Sequence, residues 1–326
     1  MNMKRIIFMF TAIMILALPL SACKREELIS GLREADVKVY TTIYPIQFVV
    51  EQVGGKTVSV ESVYPPGVDA HTFEPTTKDM TKIATSDLFI YIGPSMEGFV
   101  ESAAKTLENE AVKLVALEDY PELFAKDESH GANEEEHHEE EHHEDVHGHK
   151  HHGGIDPHIW IDPSRMVTVT QIITDLLIEL NPKDEELYKK NRNELVARFV
   201  KLDHLYKNTL EKKEHKYLIV PHAAYGYWEE RYGIKQIAVS GMSPSEEPSQ
   251  KYLSELIEAA KEHNIDSVFY EQNTPDKLID IVREEINAEV YTIHNLAVLT
   301  EADMKNEEDY FTLMEYNLNV MNEAFY

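Results

Sequence analysis

Hydrophobic and polar positions along this chain follow two periods, and the periods take turns. Residues 37–43 and 58–64 alternate with a period near two and are rich in β-branched and aromatic side chains, so they read as strands. Between them, residues 45–53 carry apolar side chains at helical spacing and stop at Gly54-Gly55, while Pro65-Pro66-Gly67 breaks the second strand. Residues 76–85 suit a helix, 87–93 a buried strand, 97–107 another helix and 112–117 a fourth strand. After Asp162-Pro163, the residues Val167, Ile172, Ile173, Leu176, Leu177 and Leu180 recur on one helical face, which predicts a helix over 163–180. Asn181-Pro182 interrupts it, with proline suited to the first turn of a second helix over 183–212. At a rise of about 1.5 Å, some 30 residues span roughly 45 Å, a length that suits a rigid strut between two lobes. The strand–helix rhythm then resumes, with strands at 217–220, 236–240, 267–270 and 289–293 and helices at 225–232, 249–263, 275–286 and 309–325. The pattern predicts an α/β fold of two lobes, 37–162 and 216–326, each a mostly parallel sheet flanked by helices, joined by one long rigid helix.

Two stretches stand outside that rhythm. Lys4 and Arg5 precede an apolar run over residues 6–20, short for a membrane span and right for a signal segment, which ends in Leu20-Ser21-Ala22-Cys23. Small residues before a cysteine predict cleavage of residues 1–22, lipidation of Cys23 and a polar tether over 23–36. The expected location is the extracytoplasmic face of a bacterial cell membrane, with membrane lipid as a partner. The second stretch, 126–154, holds His137, His138, His142, His143, His147, His149, His151 and His152 among clustered glutamates. It has too few apolar residues to bury a core and reads as a mobile loop that collects divalent cations weakly and without fixed geometry.

Charge and cysteine usage narrow the function. A net charge of −28 disfavours nucleic acid as a partner and concentrates cations near the surface. Cys23 is the only cysteine, so a metal site within the chain must use His, Asp or Glu. Outside the histidine-rich stretch, seven histidines remain. His71 follows a strand and a Pro-Pro-Gly break. His222 follows the strand at 217–220. His158 lies among prolines and apolar residues in Asp156-Pro157-His158-Ile159-Trp160-Ile161-Asp162-Pro163. Ligands of open α/β sheets bind beyond the carboxyl ends of strands, where His71 and His222 fall, one in each half. Three neutral imidazoles suit zinc and leave a fourth position for a carboxylate or water. Asp156, Asp162 or Glu74 is a candidate acceptor for a ligand's second ring nitrogen. His204 reads as a solvated strut residue, His215 and His263 as helix-end or surface groups, and His294 as a group open to a supporting role behind a ligand.

At these residues the chain resembles the cluster A-I, ZnuA/TroA-like metal-binding lipoproteins of ABC importers. The matching segments are His71-Thr72-Phe73-Glu74-Pro75, residues 87–93 with Glu97, residues 156–163, His222-Ala223-Ala224-Tyr225-Gly226-Tyr227-Trp228, Glu247-Pro248-Ser249 and Tyr270-Glu271-Gln272-Asn273-Thr274. The resemblance covers nearly all of residues 37–326. It implies a metal in the interlobe cleft, with His71, His158 and His222 as the histidine ligands, and delivery to an ABC transporter permease by a monomeric binding protein that is not an enzyme. Histidine at position 222 and the histidine-rich loop favour Zn2+ over Mn2+. Some zinc members place a glutamate ligand after the last strand, where Asn295-Leu296-Ala297 stands here, so the fourth position falls to water or to Glu271. A zinc hydrolase would use the same donors, but no His-Glu-x-x-His pattern is present, and a surface adhesin would be expected to show adhesive repeats.

Overall fold

Four parallel strands frame the first lobe: β1 (Val37–Thr41), β2 (Val58–Ser62), β3 (Leu88–Tyr91) and β4 (Lys113–Ala116), in the order β2-β1-β3-β4. The computed structural model describes residues 35–124, 155–272 and 277–326. The signal-like segment, Cys23, nearly all of the tether and the histidine-rich stretch therefore lie outside the described residues. β1 and β3 are central and buried on both faces, which is why VKVYT and LFIY are almost continuously apolar. β2 is an edge, so it keeps the alternation, with Ser59 and Glu61 exposed between Val58 and Val60. Helices α1 (Tyr44–Gly54), α2 (Thr77–Ala84) and α3 (Val100–Leu107) cover the sheet. Pro45 sits in the first turn of α1, and Thr76 with Asp79 forms a capping box that starts α2.

The helix expected from Glu97 begins later, at Val100, because Glu97 turns inward. Its carboxylate accepts bonds from the Thr42 hydroxyl at 2.6 Å and from the amides of Gly93 at 2.7 Å and Ile92 at 3.2 Å. Burial pushes this carboxyl up to about 7 against the pull of those donors. Gly93 has φ +147°, and a Cβ there would meet the Glu118 carboxyl carbon at 2.3 Å, so only glycine fits this turn.

Helices α4 (Pro163–Leu180) and α5 (Glu185–Leu210) follow. α5 has 26 residues and so runs about 39 Å. Its first half is tied to the first lobe: the Asn191 amide donates to the Val53 carbonyl at 2.9 Å, and the Tyr188 and Thr57 hydroxyls meet at 2.8 Å. Its second half is tied to the second lobe, where the Tyr206 hydroxyl donates to the Met314 carbonyl at 2.6 Å and Asp203 accepts from Arg231 at 2.6 Å.

The second lobe holds β5 (Tyr217–Val220), β6 (Lys235–Ala238), β7 (Ser267–Glu271) and β8 (Glu289–Ile293), interleaved with α6 (Gly226–Tyr232), α7 (Gln250–Glu262) and α8 (Lys277–Ile286). The strands are parallel, as expected, but bond in two ladders, β5-β6 and β7-β8, with β5 lying beside β7. α9 (Glu301–Lys305) and α10 (Tyr310–Ala324) close the chain. One apolar cluster runs from Leu88 through Trp160 and Phe199 to Trp228 and Tyr310, so the two lobes and the long helices share a core. A smaller cluster around Ile219, Leu256, Val268 and Val282 fills the far side of the second lobe. Among the described residues no helix is long and apolar enough to cross a membrane.

Candidate metal centre

His71 leaves the carboxyl side of β2 on the loop that leads to α2, and His222 lies two residues past the end of β5. His158 caps a 3-10 turn, Ile159–Ile161, that feeds into α4. Parallel strands aim their carboxyl ends the same way, which brings these loops to one mouth between the lobes. Ring nitrogens of the three histidines lie within 4.8 Å of one another. Nε2 of His71 and Nε2 of His158 are 3.2 Å apart. Two nitrogens at about 2.0–2.1 Å from a tetrahedral zinc sit about 3.3 Å apart, so this pair already has the spacing of a shared ion. His158 and His222 are 1% and 3% exposed, and His71 is half-buried at the opening of a 190 Å³ cavity.

Asp156 sets the ring of His158. Its Oδ1 lies 2.8 Å from Nδ1 and also accepts the His158 backbone N–H at 3.0 Å, which leaves Nε2 for the ion. A Cβ on Gly226 would fall 2.8 Å from Asp156 Oδ2, so glycine at the start of α6 makes room for this carboxylate. The Tyr227 hydroxyl holds the Asp156 carbonyl at 2.7 Å. The other two candidates for this role do something else. Asp162 caps α4 through the Ser164 amide and faces the guanidinium groups of Arg165 and Arg231, and Glu74 is exposed.

Glu271, the last residue of β7, stands behind His222. Its Oε1 is 2.7 Å from His222 Nδ1, a close contact without an aligned hydrogen bond, and its Oε2 accepts from the Asn295 amide at 2.8 Å. Ala297 lines the cavity where the resemblance places glutamate in some relatives. His294 contacts none of the three imidazoles: its Nε2 faces Asp303 at 3.0 Å and its Nδ1 accepts the Leu296 amide at 2.9 Å, which shapes the loop carrying Asn295. His204 is exposed, as expected. His263 ends α7, and His215 stacks on Tyr326 with ring centroids 4.7 Å apart; both are remote from the three-histidine group.

Electrostatics separates the three imidazoles. Burial, reinforced by the two neighbouring histidines, depresses His71 to about 2. Burial also depresses His158, against the opposing pull of Asp156. Burial is the largest influence on His222 and works the same way, but Glu271, Asp69 and Asp156 together outweigh it and the net shift is upward. Desolvation is the largest influence on Glu271 and would raise it, but His222, Asn295 and His158 together hold it below its usual range.

Sequence reasoning missed the residues that bolt this mouth shut. Trp160 Nε1 donates to the Asn295 carbonyl, Trp228 Nε1 to the Ile161 carbonyl, and Tyr310 to the Trp160 carbonyl, at 2.7, 2.7 and 2.6 Å. Each joins residues far apart in the chain, and only buried aromatics with polar ends hint at such bonds beforehand.

Two α/β lobes with parallel strands aimed at a shared mouth, and three convergent imidazoles there, define a two-lobed solute-binding protein. The chain belongs to the family described as zinc-uptake complex component A periplasmic, ZnuA, whose model matches residues 39–324. The high-affinity zinc uptake system protein ZnuA of Bacillus subtilis (strain 168) is 34% identical over 286 residues, 88% of this chain and 86% of that protein. The zinc-binding lipoprotein AdcA of Streptococcus pneumoniae (strain ATCC BAA-255 / R6) is 32% identical over 309 residues, 94% of this chain and 59% of AdcA. The chain thus spans about three-fifths of the AdcA relatives it matches. The crystal structure of the Zn(II)-bound ZnuA-like domain of S. pneumoniae AdcA superposes with a TM-score of 0.70 at 29% identity, covering 89% of this chain and 99% of that one. That of the metal-dependent lipoprotein YcdH from B. subtilis gives 0.69 at 30%, with the same coverage.

Proposed function

We propose that the chain captures Zn2+ between its lobes with His71, His158 and His222 and hands it to the permease of an ABC importer for zinc uptake. The observation that carries the reading is the convergence of three imidazoles, each from a different loop, with ring nitrogens within 4.8 Å of one another. An all-nitrogen set with no protein thiolate suits zinc better than manganese, which favours carboxylate and water oxygens. The relatives named as zinc-binding or zinc-uptake proteins support the same cargo. The role is binding rather than turnover: the carboxylates beside the imidazoles are already engaged, Asp156 by His158 and Glu271 by His222 and Asn295. We further propose that lipidated Cys23 holds a monomer on the extracytoplasmic membrane face and that residues 126–154 gather zinc weakly for the tight site. The sequence around Cys23, and a relative named as a lipoprotein, support the first of these.

Metal analysis and chelator competition test the reading. The purified chain is expected to retain one zinc tightly, and the triple substitution H71A/H158A/H222A is expected to abolish that site. It should also fail to restore growth under zinc limitation. Tight stoichiometric zinc binding by the triple variant would refute the assignment.

A further inference from the structure

Neither the family nor the cluster of three histidines assigns a role to Glu271. It is 3% exposed: Oε2 accepts from the Asn295 side-chain amide at 2.8 Å, and Oε1 lies 2.7 Å from His222 Nδ1. The fully buried Tyr225 hydroxyl also faces it. His222 Nδ1, Glu271 Oε1 and the Tyr225 hydroxyl are all buried and all lack an aligned hydrogen bond within this fold. Two buried donors gathered around one equally buried carboxylate oxygen are costly unless they serve it, and small rotations would let both reach it.

The carboxylate is in turn held by a braced loop. Asn295 accepts the Gln272 side-chain amide at 2.9 Å through Oδ1, and its own backbone N–H donates to Gln272 Oε1 at 2.9 Å. Its carbonyl receives the Trp160 indole, two residues beyond His158. One asparagine thus joins the support of His222 to the segment that carries His158.

Resting on the zinc-binding reading, we infer that Glu271 is a positioning residue rather than a fourth ligand: it takes the Nδ1 proton of His222, fixes the tautomer that offers Nε2 to the ion, and is itself held by Asn295. With Asp156 behind His158, two of the three imidazoles then have a carboxylate behind them. Such outer partners typically change metal affinity by about 10- to 100-fold.

Three variants of the full chain test this: E271A, E271Q and N295A. Zinc affinity by chelator competition is expected to fall within about 10- to 100-fold for E271A, and by less for E271Q, whose amide oxygen still accepts the Nδ1 proton. N295A is expected to fall in the same direction. Nitrogen-15 NMR of the metal-free wild type at alkaline pH should show His222 protonated at Nδ1 and bare at Nε2, a preference kept in E271Q and lost in E271A. A merely structural role would lower stability in E271A without touching that tautomer. An unchanged tautomer in E271A, or a zinc-loaded crystal structure with a Glu271 oxygen at about 2.0–2.2 Å from the ion, would overturn the inference. A wild type that binds no zinc would instead sink the zinc reading, and the His222 tautomer would still decide the positioning role.

Discussion

An imidazole holds a metal ion only through a lone pair it has not given to a proton, and the three histidines here differ in how firmly they keep it. Burial depresses both His71, to about 2, and His158, whereas Glu271 draws a proton toward His222. As pH falls, His222 therefore protonates first and competes with the ion. Zinc affinity measured by chelator competition from about pH 8 to about pH 5 is expected to decline, with the decline beginning above the ordinary imidazole value of about 6.5. A flat profile would remove His222 from the ligand set. E271Q should move the decline to lower pH, because the charge that favours the proton is gone. The same pair shapes the stability of the metal-free fold. The lowered pKa of Glu271 means its share is lost as pH falls through the ordinary carboxylate range, near about 4.3 and below. The raised pKa of His222 means its share is complete below about 6.5 and is lost as pH rises through the folded value.

At the scale of single elements, Asp162 shows how a helix start is made to serve the assembly. One oxygen accepts the Ser164 amide that opens α4, and the buried carboxylate also neutralises Arg165 at 2.5 Å and Arg231 at 3.4 Å. D162A removes a cap and takes one carboxylate away from two largely buried guanidinium groups. Breaking a buried pair from one side typically costs about 3–5 kcal/mol, and thermal unfolding of the variant should register a loss of that order. A variant as stable as wild type would show that Asp203 and Glu230 suffice for both arginines. Asp162 also marks where sequence reading stops. The Asp-Pro step announced a helix start, and Asp156, two residues from His158, was a sound candidate for the imidazole's partner because so short a spacing lets side chain and ring meet. Arg231, which belongs to α6, has no local signature that ties it to Asp162. The strands were legible because buried parallel strands are apolar throughout and edge strand β2 alternates. α9 was not, since five residues with only Ala302 and Met304 apolar carry no period to detect. Glu97 sits in a helical pattern and leaves it for a tertiary reason, the donors of Thr42, Ile92 and Gly93.

For the whole molecule, binding and folding are linked. An ion bound only by the folded form raises its stability, by about 2.7 kcal/mol at a free concentration 100 times Kd. Thermal scans are expected to show unfolding shifted upward by zinc in the wild type and unmoved in H71A/H158A/H222A. Zinc stabilising both equally would place the tight site elsewhere. α5 is fastened near one end to Val53 and Thr57 and near the other to Met314 and Arg231, while Trp160, Trp228 and Tyr310 lock the His158 segment to the opposite lobe. A body stapled at so many places does not yawn open. The loop bearing half-buried His71 is fastened as well: the His71 N–H donates to Asp69 at 2.9 Å, the Tyr64 hydroxyl to the Ala70 carbonyl at 3.0 Å and the Gly67 N–H to the Leu299 carbonyl at 3.0 Å. In the zinc-binding reading proposed above, drawing this one loop aside would take a nitrogen of three from the ion while the two lobes stay stapled together.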